Sequence, residues 1–362
     1  MSDAARCPRR YAVLTEGFLS DPMACKTAYG IMRFRPDEIA VVIDSGFAGK
    51  TVNEIVPALR CSAPIVCNVE SALAYAPTSL LIGVATHGGS LPPELRAFVV
   101  PAIDAGLEIV NGLHEFLNDD PELLERAART GARLWDVRAV GPVPLFTGAA
   151  YKVRQEVVLA VGSDCAVGKM TALLEIERAA RALGARAEFA ATGQTGIMIT
   201  GWGIPVDSVV SDFVTGAAEQ LVLGVSAESD TILVEGQGSI FHPAYAPVTF
   251  GLLYGCAPDA LLLCHRPNIT HIDGFPHAIP ALPELIAAHE SLLAHVKPAR
   301  VAAIALDTSA LDDRAAAAAI EAVERETGLP TGDPVRGDGE KLWRALAAEL
   351  RRAGKTRLTA PA

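Results

Sequence analysis

The apolar residues of the chain fall into short runs, separated by longer stretches in which apolar positions recur every three or four residues. Short apolar runs bounded by turn residues are typical of strands buried on both faces, and the periodic stretches are typical of amphipathic helices. The runs predict strands at 11–14, 38–43, 65–66, 80–84, 108–110, 134–137, 157–161, 186–191, 231–234, 260–264 and 300–306. The periodic stretches predict helices at 51–59, 69–74, 92–105, 121–130, 172–183, 212–223, 249–255, 281–295, 312–327 and 340–352.

Strands that alternate with helices at this rhythm indicate parallel sheets, so the predicted fold class is α/β. Residues 1–140 are predicted to form a Rossmann-like parallel-sheet domain, although no GxGxxG motif follows its first strand. Residues 141–152 are rich in Gly and Pro, which favours a linker. Residues 153–362 then form a second α/β domain.

The second domain begins with a strand, a glycine-bounded loop, a lysine and a helix, which together indicate a phosphate-binding P-loop and a P-loop NTPase-like fold. Glycines let successive backbone N–H groups point inward, and the helix N-terminus adds partial positive charge. We therefore predict that this segment binds phosphate groups through Gly162, Ser163, Asp164, Cys165, Ala166, Val167, Gly168, Lys169, Met170 and Thr171.

The loop departs from the usual P-loop pattern at two points. Five residues, instead of four, separate Gly162 from Gly168. The position after Lys169, where a Ser or Thr normally binds Mg²⁺, is Met170, and the hydroxyl of Thr171 comes one residue later. One residue rotates a helix by about 100°, so Thr171 cannot simply replace the missing ligand. The sequence predicts a phosphate site that requires no metal.

A second segment that resembles a P-loop, Gly49-Lys50-Thr51, follows an earlier predicted strand. Its first glycine would have to be at position 44, where Asp44 lies. We therefore expect no phosphate loop there.

The strand at 231–234 runs directly into Glu235-Gly236-Gln237-Gly238-Ser239. A strand that ends in an acidic residue suits the neighbour of the P-loop strand, where the carboxylate lies beside the phosphates. The pair GSDCAVGK and LVEGQGS resembles the dethiobiotin synthetase branch of P-loop proteins. That resemblance implies an alternative function, a Mg-ATP-dependent ligase or kinase.

Loops that follow parallel strands gather at one edge of the sheet, so several polar side chains are predicted to surround one crevice. Glu235 and His242 are candidate catalytic bases; alternatively, Glu235 holds an ion or organises its own loop, and His242 caps a turn. The spacing of His265, His271 and Asp273 matches no standard metal site. Candidate substrate-binding residues are Gln194, Thr195, Gln237, His265 and Arg266.

The composition limits the classes of partner. A net charge of −11 over 362 residues argues against nucleic acid or an anionic membrane. No apolar run approaches the roughly 20 residues needed to cross a bilayer, and the N-terminus lacks an apolar signal core, so we expect a cytoplasmic protein. The seven cysteines include no CxxC pair and favour reduced thiols. We expect small-molecule substrates and a homo-oligomer.

Several longer motifs resemble a family long labelled as a domain of unknown function, which includes bacterial D-glutamate N-acetyltransferases. They are KTAYGIMRFRPDE, DSGFAGKT, GSDCAVGKMT, ATGQTGIMITGWG, VEGQGSIFHPAY and LLLCHRPNITHIDGFP. The resemblance covers nearly the whole chain and implies a Rossmann-like half followed by a P-loop half. It also implies acetyl-CoA as the donor, with its phosphates in the P-loop, and D-glutamate or a related acidic amino acid as the acceptor.

Overall fold

A computed structural model of the chain describes residues 9–359, except for the side chains of His87 and of residues 355–359. The chain forms two compact units. The first comprises Met1–Ala139 with Ile197–Gly201, and the second comprises Val140–Gly196 with Trp202–Ala362. Each unit contains one parallel sheet with helices, so the predicted α/β class is confirmed.

The first unit has a six-stranded parallel sheet in the order β3-β2-β1-β4-β5-β6, which is the Rossmann strand order. Its strands are β1 (Tyr11–Leu14), β2 (Ile39–Ile43), β3 (Ile65–Val66), β4 (Ser79–Ile82), β5 (Glu108–Asn111) and β6 (Leu134–Asp136). The helices in this part of the chain are α1 (Lys26–Phe34), α2 (Val52–Ile55), α3 (Val69–Leu73), α4 (Pro93–Asp104) and α5 (Pro121–Thr130).

The second unit has another six-stranded parallel sheet, in the order β12-β11-β10-β7-β9-β8. Its strands are β7 (Glu156–Gly162), β8 (Ala187–Ala190), β9 (Thr231–Val234), β10 (Ala260–His265), β11 (Arg300–Leu306) and β12 (Thr331–Gly332). The helices that follow residue 152 are α6 (Lys169–Ala182), α7 (Gln194–Thr200), α8 (Val214–Gly224), α9 (Ala246–Gly255), α10 (Leu282–Leu293), α11 (Asp313–Thr327) and α12 (Gly339–Thr359), of which α7 passes from the second unit into the first after Gly196.

The central strands of the second sheet are buried on both faces. The apolar side chains of 157–161 in β7 and of 260–264 in β10 are each at most 1% exposed. Continuous apolar runs of this kind are what a parallel sheet covered by helices requires. Because β7 is packed in this way, the point at which the P-loop follows it has a well-defined position in the core of the second unit.

Two helices and one strand are absent from the sequence-based prediction. Helix α1 buries Ala28, Ile31 and Met32, which follow the three- and four-residue spacing of a helix face, so the periodic signal was present in the sequence and the prediction missed it. Gly30 and the short length of nine residues make this signal weaker than that of the longer helices. Helix α7 contains Gly196 and several β-branched residues, which have low helix propensity, so burial in the tertiary structure overrides propensity. Strand β12 has only two residues.

The segment at 45–51 does not form a phosphate loop, as predicted. Residues Ser45–Phe47 form a 3-10 turn, and the buried carboxylate of Asp44 accepts a hydrogen bond from Gly46 N. Lys50 is exposed, and α2, which follows it, is only four residues long.

Two other features bear on the prediction from composition. Among residues 9–359, no helix combines the length and the apolar character needed to cross a membrane. No disulfide joins the cysteines of this part of the chain.

Candidate active site

The carboxyl ends of β7, β8, β9 and β10 bring the predicted site loops together within the second unit. Strand β9 pairs in parallel with β7 and, on its other side, with β8. The prediction that the acid-ended strand neighbours the P-loop strand is therefore confirmed.

The P-loop has the backbone conformation of an anion-binding nest. Ala166 and Gly168 have positive φ angles of 51° and 85°, and α6 begins at Lys169. Within residues 9–359, no hydrogen bond takes up the backbone N–H groups of Ala166, Val167 and Gly168. Unused N–H groups at the start of a helix attract a negatively charged group.

Lys169 lies under this loop with only 7% of its surface exposed. Its Nζ donates hydrogen bonds to the carbonyl oxygens of Asp164 and Gly238, both at 2.8 Å. Burial lowers the pKa of Lys169, while the nearby Cys165 and acidic groups act in the opposite direction. An ammonium group has three N–H donors, so one remains for a ligand.

Two glycines make room for this lysine. A Cβ at Gly162 would lie 2.8 Å from Lys169 Nζ. A Cβ at Gly236 would lie 1.7 Å from the carbonyl oxygen of Ala160 and 3.1 Å from Cδ of Lys169. These glycines let β7, the P-loop and the end of β9 approach one another closely.

Asp164 organises the loop with its buried carboxylate. Its Oδ1 accepts a hydrogen bond from Cys165 N, and its Oδ2 accepts one from Asp273 N, both at 2.7 Å. Asp273 lies in a turn whose flanks are joined by a bridge between His271 and Ala278. Asp164 therefore ties the P-loop to the segment that follows β10.

Ser163 and His265 form a second link between the P-loop and β10. The Oγ of Ser163 and the Nδ1 of His265 are 2.8 Å apart. Burial lowers the pKa of His265 to about 4, so the ring is neutral at pH 7. A neutral imidazole can donate one hydrogen bond and accept one.

Arg266, which was predicted to bind a substrate carboxylate, forms an ion pair with Asp307. Its Nε and Nη2 lie 3.0 and 2.5 Å from Oδ2 of Asp307. A Cβ at Gly168 would lie 3.5 Å from Cβ of Asp307, so this ion pair lies beside the end of the P-loop. Asp307 follows β11 directly, as Glu235 follows β9, and that position at a strand end was the signal in the sequence that could have identified it.

Glu235 lies at the end of β9 and is 5% exposed. Its Oε2 accepts hydrogen bonds from the backbone N–H groups of Thr192 (2.9 Å) and Gly193 (3.0 Å). Burial raises the pKa of Glu235 to about 7, against the lowering effect of these hydrogen bonds and of Lys169. The carboxylate both organises the loop after β8 and titrates near neutral pH.

The loop after β8 packs tightly around Glu235 and Gln237. A Cβ at Gly196 would lie 2.6 Å from Oε2 of Glu235, and one at Gly193 would lie 2.6 Å from Nε2 of Gln237. The same Nε2 donates a hydrogen bond to Oγ1 of Thr192 at 3.1 Å. Two further candidate substrate-binding residues, Gln194 and Thr195, begin α7 and are 9% and 7% exposed.

His242, the other candidate base, is buried beside Asp164 of the P-loop. Its Nδ1 accepts a hydrogen bond from Ala244 N at 3.2 Å, which caps its own turn. A neutral ring that accepts at Nδ1 carries its proton on Nε2. That Nε2 lies 3.9 Å from Oδ1 of Asp164. In this arrangement the outer nitrogen of His242 is a hydrogen-bond donor.

Asp164, Cys165 and His242 place one potential ligand atom each within 4.8 Å of one another. These are the described residues that could hold a metal ion. Each carboxylate oxygen of Asp164 accepts one backbone hydrogen bond and keeps a second lone pair, whereas Nε2 of His242 would have to lose its proton before it could bind an ion.

The position that binds Mg²⁺ in common P-loops is occupied by Met170, which is half-buried, as is the next residue, Thr171. A thioether has no affinity for a hard cation such as Mg²⁺. The loop can therefore attract an anion through its N–H groups and Lys169 but lacks the usual hydroxyl for a metal.

Comparison with known proteins places this architecture in one family. The family described as "Domain of unknown function (DUF1611_C) P-loop domain" matches residues 144–343, and its "Rossmann-like domain" counterpart, DUF1611_N, matches residues 45–140. The crystal structure of a DUF1611 family protein from Anabaena variabilis superimposes with a TM-score of 0.89 at 38% identity, covering 94% of this chain and 99% of that one.

Two curated relatives carry the name D-glutamate N-acetyltransferase. The protein from Tritonibacter scottomollicae is 38% identical over 335 residues, which is 92% of this chain and 97% of that protein. The protein from Pseudoalteromonas sp. is 36% identical over 273 residues, which is 75% of this chain and 81% of that protein. The enzyme class predicted from the sequence, an N-acetyltransferase, is the class of both relatives. With both halves matched, and with relatives of this identity over most of its length, the chain belongs to the DUF1611 family.

Proposed function

We propose that this protein transfers the acetyl group of acetyl-CoA to the amino group of D-glutamate or a related acidic amino acid. Two relatives with this activity in their names, each more than a third identical, support the proposal. The structural observation that carries it is Glu235, a buried carboxylate with a pKa of about 7 at the edge of the P-loop.

The donor phosphates are proposed to occupy the P-loop. The N–H groups of Ala166, Val167 and Gly168 and the third N–H donor of Lys169 suit a phosphate oxygen. Met170 in the metal position favours binding of a phosphate without hydrolysis. Acetyl transfer needs no cleavage of a phosphate bond, so the loop serves to bind and orient the donor.

The amino group of an amino acid is protonated at pH 7 and must lose a proton before it attacks the carbonyl carbon of the thioester. As the C–N bond forms, the C–S bond breaks, and CoA leaves as a thiolate that takes up a proton. A base works best when its pKa is near the operating pH, and Glu235 meets this condition. His242 is less suited in this arrangement, because its Nε2 carries a proton. We therefore assign the base to Glu235 and a hydrogen-bond donor role to His242.

The proposal is tested by measuring acetyl-CoA consumption with D- and L-amino acids, first for the unaltered protein. We expect turnover with D-glutamate and a kcat/KM that rises with pH through about 7, because Glu235 must be ionised to accept a proton. Glu235→Gln keeps the side-chain shape and should lower turnover by roughly 10²- to 10⁴-fold.

Glu219→Gln is the matched control. Glu219 is also a buried carboxylate of the second unit, but it accepts hydrogen bonds from Thr147 and Ala150 N and is not part of the strand-end cluster. The Glu219→Gln variant should be less stable than the unaltered protein but should keep the same turnover number. Absence of turnover with every acidic amino acid would overturn the proposed function, and full activity of Glu235→Gln would overturn the assignment of the base.

A further inference from the structure

The ring of His242, which lies beside Asp164 of the P-loop, contacts the rings of Tyr245 and Phe275, and we call these three residues the aromatic rim. The ring centroid of His242 lies 4.6 Å from that of Tyr245 and 5.4 Å from that of Phe275, with the latter ring nearly perpendicular at 86°. His242 is buried, Phe275 is half-buried and Tyr245 is 54% exposed. The proposed acceptor, an acidic amino acid, has no ring that would account for these aromatic surfaces.

Gly238 fixes the aromatic rim relative to Lys169. Its carbonyl oxygen accepts the 2.8 Å hydrogen bond from Lys169 Nζ. A Cβ at this glycine, which has a φ of +61°, would lie 2.5 Å from the carbonyl oxygen of Tyr245 and 3.1 Å from Cβ of Tyr245. Gly238 therefore lies next to both the ammonium group of Lys169 and the backbone of the exposed Tyr245.

The aromatic rim lies beside a negative charge, the carboxylate of Asp164, whereas the inside of the P-loop is positive because of Lys169 and the backbone N–H groups. The carboxylate of Asp164 is turned toward the rim, because it lies 3.9 Å from His242 Nε2 and accepts a hydrogen bond from Asp273 N. A phosphate placed against this buried carboxylate would be repelled. The open N–H groups and Lys169 attract a phosphate into the loop itself. A ligand that suits both regions has a phosphate joined to a neutral aromatic ring.

We propose that the aromatic rim binds the purine ring of an adenosine phosphate whose phosphate group lies in the P-loop. This inference rests on the proposed function, since acetyl-CoA carries such an adenosine phosphate. It specifies that the nucleotide end of the donor lies at the loop. The pantetheine arm must then bend back over the strand ends for the thioester to approach Glu235.

The test compares two simple ligands that each carry one phosphate and differ in the purine ring, adenosine 5′-monophosphate and ribose 5-phosphate, by isothermal titration calorimetry. The purine ring should strengthen binding, because stacking of a base on an aromatic side chain contributes about 1–3 kcal/mol, or roughly 5- to 150-fold in Kd. Tyr245→Ala should weaken binding of adenosine 5′-monophosphate by a factor in this range and leave binding of ribose 5-phosphate unchanged. Tyr245→Phe, which keeps the ring, should restore the affinity.

Tyr75→Ala is the matched control, because Tyr75 is a tyrosine of the first unit and is 38% exposed. The Tyr75→Ala variant should bind adenosine 5′-monophosphate like the unaltered protein. In the acetyl-transfer assay, Tyr245→Ala should lower kcat/KM for acetyl-CoA more than for S-acetylpantetheine, which lacks the adenosine phosphate. Circular dichroism checks that each variant is folded.

The outcomes separate this inference from the proposed function. Equal affinity for the two ligands, or an equal loss of both in Tyr245→Ala, overturns the purine site even if acetyl transfer is observed. A change in oligomeric mass with unaltered affinity also overturns it, since the rim would then be a contact between copies of the chain. Ring-dependent binding without any acetyl transfer supports the purine site and overturns the proposed function.

Discussion

Asp164, Lys169 and Glu235 are three ionisable side chains, each less than a tenth exposed, in the segments that follow the adjacent strands β7 and β9. Burial of a charge is unfavourable unless hydrogen bonds compensate for the lost water. Here the backbone compensates: two carbonyl groups accept from Lys169, and two N–H groups donate to each carboxylate. These residues therefore contribute both to folding and to ligand binding.

Lys169→Ala should weaken binding of the donor by about 1.5–3 kcal/mol, the contribution of a charged hydrogen bond. The variant should also lose roughly 1–3 kcal/mol of stability, because the carbonyl groups of Asp164 and Gly238 lose their partner. Calorimetric titration with CoA and urea unfolding measure the two effects. Lys50→Ala is the control, since Lys50 is exposed and follows no phosphate loop. Unaltered CoA affinity in folded Lys169→Ala protein would contradict the P-loop assignment.

Met170 is the residue for which the two candidate functions, acetyl transfer and a Mg-ATP-dependent reaction, predict different results. Because a thioether cannot complete the coordination of Mg²⁺, we expect acetyl transfer to persist in EDTA and ATP hydrolysis to be negligible. Met170→Ala should act through packing alone and cost less than about 2 kcal/mol, since the side chain is only half-buried. Activity that is lost on chelation and restored by Mg²⁺ would instead support a ligase or kinase.

At the scale of elements, glycines determine how closely the strand-end loops approach one another. Gly193 and Gly196 leave room for Gln237 and Glu235, and Gly236 allows β9 to contact the backbone of β7. Gly196 lies inside α7, where glycine is ordinarily unfavourable compared with alanine. A glycine is required at position 196 because any Cβ there would lie too close to the carboxylate of Glu235.

Gly196→Ala tests this close packing. A Cβ would lie 2.6 Å from Oε2 of Glu235 and 3.0 Å from Cβ of Ala191, so we expect a loss of about 1–3 kcal/mol despite the better helix propensity of alanine. Gly354→Ala, in α12, should instead stabilise by about 0.4–1 kcal/mol, because the nearest atom that its Cβ would meet is 3.9 Å away. Denaturant unfolding gives the free energy of unfolding of each variant. If both substitutions raised it, the loop after β8 would have to move aside for a Cβ at position 196 at little cost.

At the scale of the whole molecule, buried titratable groups act on stability in opposite directions as the pH changes. Burial raises the pKa of Glu235 to about 7, so the folded state favours the protonated acid. Protonated Glu235 therefore stabilises the folded state below about pH 4.5, and this stabilisation is lost as the pH rises to 7. Burial lowers the pKa of His265 and His289 to about 4. The neutral rings of these two histidines therefore stabilise the folded state above about pH 6.5, and this stabilisation is lost as the pH falls toward 4.

Glu235→Gln should therefore change the pH profile of unfolding as well as activity. Without the titrating carboxyl group, the free energy of unfolding should rise more between pH 4.5 and 7 than in the unaltered protein, by an amount on the order of 3 kcal/mol. Urea unfolding at several pH values measures the difference. His289→Gln should have the opposite effect in the same window, and parallel profiles for all three proteins would contradict the linkage.

The pattern of apolar runs was sufficient to predict the parallel α/β architecture, because a strand buried on both faces requires a continuous apolar run. Local spacing was also sufficient for the P-loop and for the acid at the end of β9. Helix α7 was not predictable in this way, since burial around Glu235 stabilises it against a weak local preference, whereas α1 has apolar residues at helical spacing that the prediction missed.

The state of each site residue depended on the tertiary structure. The sequence placed Arg266, His242 and Glu235 near one crevice, but it did not indicate that Asp307 pairs with Arg266 or that Ala244 N selects the tautomer of His242. Nor did it show that the loop after β8 encloses Glu235. These partners are distant in sequence or depend on the shape of a turn. Burial and hydrogen bonding set pKa values and tautomers, and both arise only when the strand ends are assembled.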